Sequence, residues 1–144
     1  MGGNGTMKVF VDTNVVVDFL GKRDPYFNDA AIIFEMGKQR KIDVIVSSLT
    51  IVNCAYILRK QFSNEVTLAK IGDFCQMLEL SSIDRSVILN ALSLQPSDFE
   101  DAIQYVSAKS FAPDIIITRD KKGFEEYDLP VMTPVEFVIE CQKQ

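Results

Sequence analysis

The sequence predicts an α/β fold, a three-layer α/β/α sandwich with a central parallel sheet. Short apolar, β-branched segments such as Ile115–Thr118 (IIIT) alternate along the chain with amphipathic segments of helical length. Strands that alternate with helices form parallel sheets with helices on both faces. The near-continuous apolar character of these segments is typical of strands buried on both sides.

Five strands are predicted, each bounded by polar or turn-forming residues. They are Lys8–Asp12, Asp43–Ser47, Glu79–Ile83, Ile115–Thr118 and Pro130–Met132. The segments between them have apolar residues at helical spacing, as in Phe27, Ala30 and Phe34. A helix is therefore predicted to follow each strand except the fourth, after which the segment RDKKGF is predicted to be a loop.

Capping residues predict where several helices begin. Ser48 and Ser63 are expected to cap two of them. Ser97 and Glu100 have the spacing of an S-x-x-E capping box. Thr133–Glu136 (TPVE) combines a cap, a proline at the first helical position and a glutamate at the third. The predicted helices are Thr13–Leu20, Tyr26–Arg40, Leu49–Gln61, a helix from Ser63 to Met77, Asp84–Leu94, a helix from Ser97 to Lys109, and a last helix that starts at Pro134.

The length of 144 residues predicts a single domain, assigned to residues 7–144. Residues 1–6 (MGGNGT) are polar and glycine-rich and are expected to be an added or disordered leader. No apolar segment approaches the roughly 18 residues that a membrane helix needs, and the protein is expected to be cytoplasmic. A net charge of −5 argues against a protein that coats nucleic acid by charge alone.

The composition also excludes several kinds of catalytic site. Cys54, Cys75 and Cys141 are far apart and have no CxxC spacing, so neither a disulfide framework nor a zinc site is expected. The chain contains no histidine, which excludes a Ser-His-Asp triad, a Cys-His pair and an HExxH site. Hydrolysis would therefore use carboxylates, lysines, hydroxyls or a metal ion.

Three aspartates lie where the predicted strands end or a helix begins. Asp12 ends the first strand, Asp120 follows the fourth, and Asp101 lies in the first turn of a helix. Open α/β sheets bind ligands at the carboxyl ends of their strands. Carboxylates gathered there repel one another, and a hard cation such as Mg²⁺ or Mn²⁺ is the usual compensation. The pattern favours a metal-dependent enzyme that acts on phosphate esters.

Purely structural roles are the alternative for each of these acids. Asp12 can serve as a helix cap alone, and Asp120 as a turn residue. Asp98 can stabilise the start of its helix through the helix dipole. Asp101 is harder to explain in this way, because it lies deeper in the helix beside apolar Ala102.

With these residues, the chain resembles PIN-domain proteins, the family of the VapC-like toxin ribonucleases, over nearly all of residues 7–141. The resemblance rests on the segments VFVDTNVVVDFL, SSLTIVNCAYIL, DFEDAIQYVSAK and IIITRDKKGF. It implies an α/β/α sandwich and the Mg²⁺- or Mn²⁺-dependent cleavage of RNA. It also implies a small antitoxin protein as partner and association into a homodimer.

The resemblance assigns the site residues. Asp12, Asp101 and Asp120 match acidic positions of the family and are expected to hold the metal and take part in catalysis. Asp98 matches an additional acid of some members and is also expected to be catalytic. The expected substrate-binding or supporting residues are Thr118, Asn53, Asn14 and Arg119.

Asn53 departs from the family pattern, which has a glutamate on the helix after the second strand. Asparagine keeps an oxygen acceptor but has no charge, so it cannot act as a general base and binds hard cations less strongly than a carboxylate. Glu65 and Glu35 are candidate substitutes for the missing acid.

Three functional hypotheses follow. The first is a metal-dependent ribonuclease, the toxin of a toxin-antitoxin pair. The second is a catalytically weakened PIN domain that binds nucleic acid or a protein without cutting. The third is a phosphoacceptor receiver domain, which is disfavoured because Lys8–Val11 offers no acids before Asp12.

Overall fold

A parallel five-stranded sheet forms the centre of the protein. The computed structural model describes residues 6–143, so the expected leader, apart from Thr6, lies outside the described residues. The strands are β1 (Met7–Val11), β2 (Ile42–Ser47), β3 (Glu79–Ser81), β4 (Ile115–Ile117) and β5 (Val131–Met132). They are ordered β3-β2-β1-β4-β5, and all neighbours are parallel. The prediction of a central parallel sheet is confirmed.

Helices connect the strands. They are α1 (Thr13–Leu20), α2 (Phe27–Lys38), α3 (Ser48–Leu58), α4 (Asn64–Cys75), α5 (Arg85–Ser93), α6 (Phe99–Ala108) and α7 (Pro134–Gln142). Short 3-10 turns follow at Lys109–Phe111 and Lys121–Phe124. Among residues 6–143, no helix combines the length and the apolar character needed to cross a membrane.

Side chains alternate between the two faces of the sheet and so create two apolar layers. Val9 and Val11 of β1 pack in a large core with residues of α1, α2, α3, α4 and α7. Phe10, which points to the other face, packs with Ala108 of α6 and Phe124. A third cluster joins α5 to α6 through Ala91 and its neighbours. The predicted three-layer α/β/α sandwich is therefore confirmed.

Two of the predicted caps are wrong by one residue. Ser47 rather than Ser48 caps α3, and its hydroxyl accepts a hydrogen bond from the Thr50 N–H at 3.1 Å. Asp98 rather than Ser97 caps α6, because its carboxylate accepts from the Asp101 N–H at 3.0 Å. The predicted Ser97–Glu100 capping box is therefore absent. The capping box at the start of α7 is present as predicted.

The order of the strands places a crevice between β1 and β4. From β1 the chain proceeds to β2 and β3 on one side, whereas β4 and β5 lie on the other. The ends of β1 and β4 are held together by a hydrogen bond of 3.0 Å from the Asp12 N–H to the Ile117 carbonyl. Such a reversal of strand order is where open α/β sheets bind ligands.

Candidate active site

Asp12 is the most firmly held carboxylate of the candidate site. It caps α1, directly after β1, and is only 7% exposed. Its Oδ1 accepts hydrogen bonds from the Thr13 N–H and from Gln104 Nε2, both at 2.7 Å. Its Oδ2 accepts from the Thr118 hydroxyl at 2.8 Å. Burial raises the pKa of Asp12, and these three hydrogen bonds oppose the rise. The carboxylate is thus fixed in one orientation by donors from three parts of the fold.

Gln104 is oriented by a second row of hydrogen bonds. The residue is fully buried in α6, and its Oε1 accepts from the Thr50 hydroxyl at 2.9 Å and the Ser47 hydroxyl at 3.3 Å. With its oxygen engaged there, the amide must turn its N–H₂ group toward Asp12. Sequence analysis missed Gln104, because its partners lie 54, 57 and 92 residues away in the chain.

Asp101 has a different environment at the start of α6. Its side chain is half-buried, and within residues 6–143 no hydrogen-bond donor contacts its carboxylate. Burial raises its pKa to about 7, with further contributions from Asp12, Asp98, Glu100 and Asp120. This carboxylate therefore lacks compensating positive charge.

Gly123 makes room for the Asp101 carboxylate. A Cβ atom at position 123 would collide with Asp101 Oδ2. The 3-10 turn that contains Gly123 therefore approaches α6 closely only because residue 123 has no side chain. The segment RDKKGF is a loop by prediction, and no sequence pattern predicts a role for its glycine.

Asp120 and Asn14 complete the network at the end of β4. The backbone N–H of Asp120 donates to the Thr118 hydroxyl at 3.1 Å, and the Asp120 side chain is exposed. Asn14 Nδ2 donates to the same hydroxyl at 3.2 Å, and Asn14 Oδ1 accepts from the Arg119 N–H at 3.2 Å. Thr118 and Asn14 therefore position the chain on both sides of Asp12.

Arg119 is partly committed to other contacts. Its Nε donates to Asp18 Oδ2 at 2.7 Å, and its guanidinium lies 4.0 Å from the centre of the Tyr26 ring. Asp18 is 1% exposed, so this ion pair also satisfies a buried charge, whereas the Arg119 side chain remains 34% exposed. The Arg119 guanidinium is therefore held at the edge of the site by Asp18 and Tyr26.

These residues surround one opening of about 370 Å³, here called the acidic cleft. It is lined by Asp12, Thr13, Asn14, Val17, Arg23, Ile57, Asp98, Glu100, Asp101, Arg119 and Asp120. The structure thus brings together all four predicted aspartates, with Thr118 bonded beneath them. Arg23 and Glu100 are lining residues that sequence analysis did not place there.

The oxygen donors of the acidic cleft suit a hard divalent cation, which prefers carboxylate and amide oxygens. Their spacing is open, however. Over residues 6–143, no three acidic or cysteine side chains are close enough together to hold one ion. The donor chemistry fits Mg²⁺ or Mn²⁺, and coordination would require the carboxylates to draw closer around it.

Asn53 lies beside the acidic cleft on α3. Its side chain is half-buried, and its Nδ2 donates to Glu100 Oε1 at 3.3 Å. The two glutamates considered as substitutes are elsewhere. Glu65 is exposed at the start of α4, and Glu35 of α2 accepts from Gln39. Neither lines the acidic cleft.

Comparison with known proteins assigns the family. The sequence pattern of the PIN domain matches residues 8–122. Ribonuclease VapC1 of Aquifex aeolicus (strain VF5) is 30% identical over 135 residues, which cover 90% of this chain and 92% of that protein. VapC20 of Mycobacterium tuberculosis, described as a sarcin-ricin loop cleaving toxin, has a TM-score of 0.67 at 12% identity, with 82% and 94% of the two chains covered.

A DNA-bound VapBC structure from Salmonella typhimurium has the same fold. Its TM-score is 0.68 at 20% identity, with 90% of this chain and 99% of that chain covered. Identities this low show the likeness of the fold, whereas the sequence pattern and the Aquifex relative show common family membership. This chain therefore belongs to the PIN domain family.

Proposed function

We propose that this protein is a metal-dependent endoribonuclease, the toxin of a VapC-type toxin-antitoxin pair. The observation that carries the proposal is the acidic cleft, in which Asp12 is held rigidly opposite Asp101 and Asp120. The relative from Aquifex aeolicus bears the name of a ribonuclease. PIN-domain nucleases of the VapC type generally depend on a divalent metal.

In this proposal Asp12, Asp101 and Asp120 hold Mg²⁺ or Mn²⁺. When bound, the ion supplies Lewis acidity toward the scissile phosphate and the attacking water. Asp12 keeps its position because Gln104 and Thr118 hold its two oxygens. The reaction adds water to phosphorus, breaks one P–O ester bond, and transfers the proton of the water to the departing oxygen.

The other lining residues have supporting roles in this proposal. One carboxylate oxygen of Asp98 accepts a hydrogen bond from the Asp101 N–H, and this contact fixes the backbone at Asp101. Its second oxygen remains available to orient water. Arg119 and Arg23 provide positive charge at the mouth of the acidic cleft, where they would attract RNA phosphates to an otherwise acidic protein.

The partners follow from the same relatives. Solved structures similar to this chain include VapBC complexes, so we propose that a small antitoxin protein binds this chain. Association into a homodimer, expected from the resemblance, stays a prediction. Co-expression with the product of a neighbouring gene, followed by size-exclusion chromatography, tests the antitoxin.

RNA cleavage provides the direct test of the function. Wild-type protein is expected to cleave single-stranded RNA with Mn²⁺ or Mg²⁺ and to stop when the ion is chelated. Asp101→Asn, which keeps the shape of the side chain but removes its charge, is expected to be strongly impaired. Equal cleavage by both proteins would point to a contaminating nuclease and refute the assignment.

The second candidate function is a weakened PIN domain that binds nucleic acid or protein without cutting. It is favoured by the neutral Asn53, at a position where the family typically has a glutamate. It predicts poor metal affinity that Asn53→Glu would raise. Tight Mn²⁺ binding by the wild type, measured by calorimetry, would count against it.

A further inference from the structure

Glu100 is an acid of the cleft that the family comparison does not assign. It lines the acidic cleft together with Asp12, Asp101 and Asp120. Its Oε1 accepts a hydrogen bond of 3.3 Å from Asn53 Nδ2, across 47 residues of sequence and between α3 and α6. Asn53, the neutral residue that departs from the family pattern, thus contacts the carboxylate of Glu100 beside the acidic cleft.

The cap of α6 explains why Glu100 is available for this contact. If Ser97 were the cap, Glu100 would be the third helical residue and would bond back to the backbone of the cap. Because Asp98 is the cap, Asp101 occupies the third position and Glu100 the second. Ser97 instead donates to Glu126 at 3.1 Å. The Glu100 side chain is therefore free to extend toward α3.

The chemistry of the pair is complementary. An asparagine N–H₂ group donates to a carboxylate oxygen, whereas a glutamate at position 53 would repel Glu100. Asn53 occupies only Oε1, and within residues 6–143 no donor contacts Glu100 Oε2. One oxygen is thus held in place by α3, and the other remains available to a cation.

We infer that Glu100 supplies the carboxylate that position 53 lacks, and that Asn53 is the residue that positions it. This inference rests on the proposed function, since it concerns the same metal site. It assigns Glu100 as a metal ligand, directly or through one water, and it replaces the suggestion that Glu65 or Glu35 compensates for Asn53. The exchange moves the acid from α3 to α6 and keeps the number of carboxylates around the cleft.

Manganese binding tests the inference without relying on catalysis. The dissociation constant is measured by calorimetry, and the Mn²⁺-induced rise in melting temperature provides a second readout. Glu100→Gln is expected to weaken binding at least about tenfold, the range found when groups around a metal site are removed. Glu125→Gln, an exposed glutamate outside the cleft, is the matched control and should bind Mn²⁺ like the wild type.

A charge exchange identifies the pair. Asn53→Ala is expected to weaken Mn²⁺ binding less than Glu100→Gln, and to have no further effect once Glu100 has been replaced. The double variant Asn53→Glu/Glu100→Gln, which returns the acid to α3, is expected to recover most of the lost affinity. Because Glu100 is exposed and Asn53 is only half-buried, all variants should fold, which circular dichroism verifies.

The outcomes separate this inference from the proposed function. If Asp12→Asn abolishes Mn²⁺ binding while Glu100→Gln stays within twofold of the wild type, the metal site stands and the role of Glu100 is refuted. If the wild type binds Mn²⁺ but does not cleave RNA, and Glu100→Gln weakens that Mn²⁺ binding, the inference stands and the ribonuclease function is refuted. A wild type that binds no Mn²⁺ refutes both.

Discussion

Asp12 after β1 and Asp101 in α6, the two sides of the acidic cleft, differ in the hydrogen bonds that their carboxylates accept. At the end of β1, Asp12 is buried and accepts hydrogen bonds from the Thr13 N–H, Gln104 and Thr118. At the start of α6, the carboxylate of Asp101 is half-exposed and accepts none from residues 6–143. Neutral donors hold the first acid in place, whereas the charge of the second is opposed by neighbouring acids.

This difference separates positioning from charge compensation. The hydrogen bonds to Asp12 favour its ionised form and fix its direction, and they do so before any cation arrives. Burial nevertheless raises the pKa of Asp12, and burial together with neighbouring acids raises the pKa of Asp101 to about 7. A cation in the cleft would therefore favour the ionised form of both acids, but only Asp12 is already held in position by hydrogen bonds.

Removing the charge of Asp12 should have the largest effect. Asp12→Asn removes the negative charge and turns an N–H₂ group toward either the Gln104 donor or the Thr118 hydroxyl. We expect RNA cleavage to fall at least about 100-fold, comparable with the loss of one key electrostatic group in other enzymes. Single-turnover cleavage at saturating Mn²⁺ measures the change.

Asp84→Asn is the matched control for this substitution. Asp84 caps α5 and accepts from the Val87 N–H at 3.0 Å, away from the acidic cleft. It should retain wild-type cleavage. If Asp12→Asn were no more damaging than Asp84→Asn, Asp12 would be only a helix cap.

Removal of Gln104, which positions Asp12, should have the second-largest effect on cleavage. Gln104→Leu removes the donor to Asp12 and one acceptor of the buried Ser47 and Thr50 hydroxyls. We expect a loss of about 1–3 kcal/mol in the free energy of unfolding and about tenfold in cleavage. Urea unfolding and cleavage assays measure the two effects. Gln142→Leu, on the exposed last turn of α7, should change neither, and an unaffected Gln104→Leu would contradict the positioning role.

A steric change at the opposite wall should have a smaller effect. Gly123→Ala introduces a Cβ that collides with Asp101 Oδ2, so the carboxylate or the 3-10 turn must shift. We expect a several-fold loss of Mn²⁺ affinity and only a small change in stability, because the half-buried Asp101 side chain can turn away from the added Cβ.

Gly72→Ala separates this collision from a general effect of glycine replacement. Position 72 in α4 has no atom within 4 Å of an added Cβ, and alanine there should stabilise the helix by about 0.5–1 kcal/mol. An equal effect of the two substitutions on Mn²⁺ affinity would argue against the close approach of Gly123 to Asp101.

The smallest expected effect is a pH dependence of the metal-free protein. The pKa of Asp101 is about 7 in the folded protein and 3.8 when unperturbed, so between these values the folded state binds more protons than the unfolded state. Stability should therefore fall as pH rises from 5 to 8. Asp101→Asn should reduce this fall by on the order of 1 kcal/mol, after allowance for solvent screening of a half-exposed group. Urea unfolding in chelator at both pH values measures it, and identical slopes for the two proteins would contradict the raised pKa.

Local patterns in the sequence were sufficient for the fold. Strands such as β4 are short apolar segments, and the start of α7 has a complete capping signal. The start of α6 was predicted wrongly because Ser97 and Asp98 are both good caps, and sequence spacing alone does not decide between them. The choice depends on tertiary contacts, because Ser97 forms a hydrogen bond with Glu126 and Glu100 forms one with Asn53.

The aspartates of the site could be predicted, but their environment could not. Asp12 and Asp120 adjoin strand ends, which the sequence shows. Gln104 has no such signal, because a glutamine in a helix is ordinary unless its distant partners are known. The same is true of Glu100, whose neighbour Asn53 belongs to another helix.

The hydrogen bond between Asp12 and Thr118 joins two residues that are 106 positions apart. On a translating ribosome, the first of these residues is made long before the second. At roughly 5–20 residues per second, the interval is about 5–20 s. A nascent chain therefore has no complete cleft until β4 has emerged, and translation that stops early yields a fragment without the proposed nuclease. The late arrival of Thr118 thus keeps the proposed nuclease incomplete until most of the chain has been made.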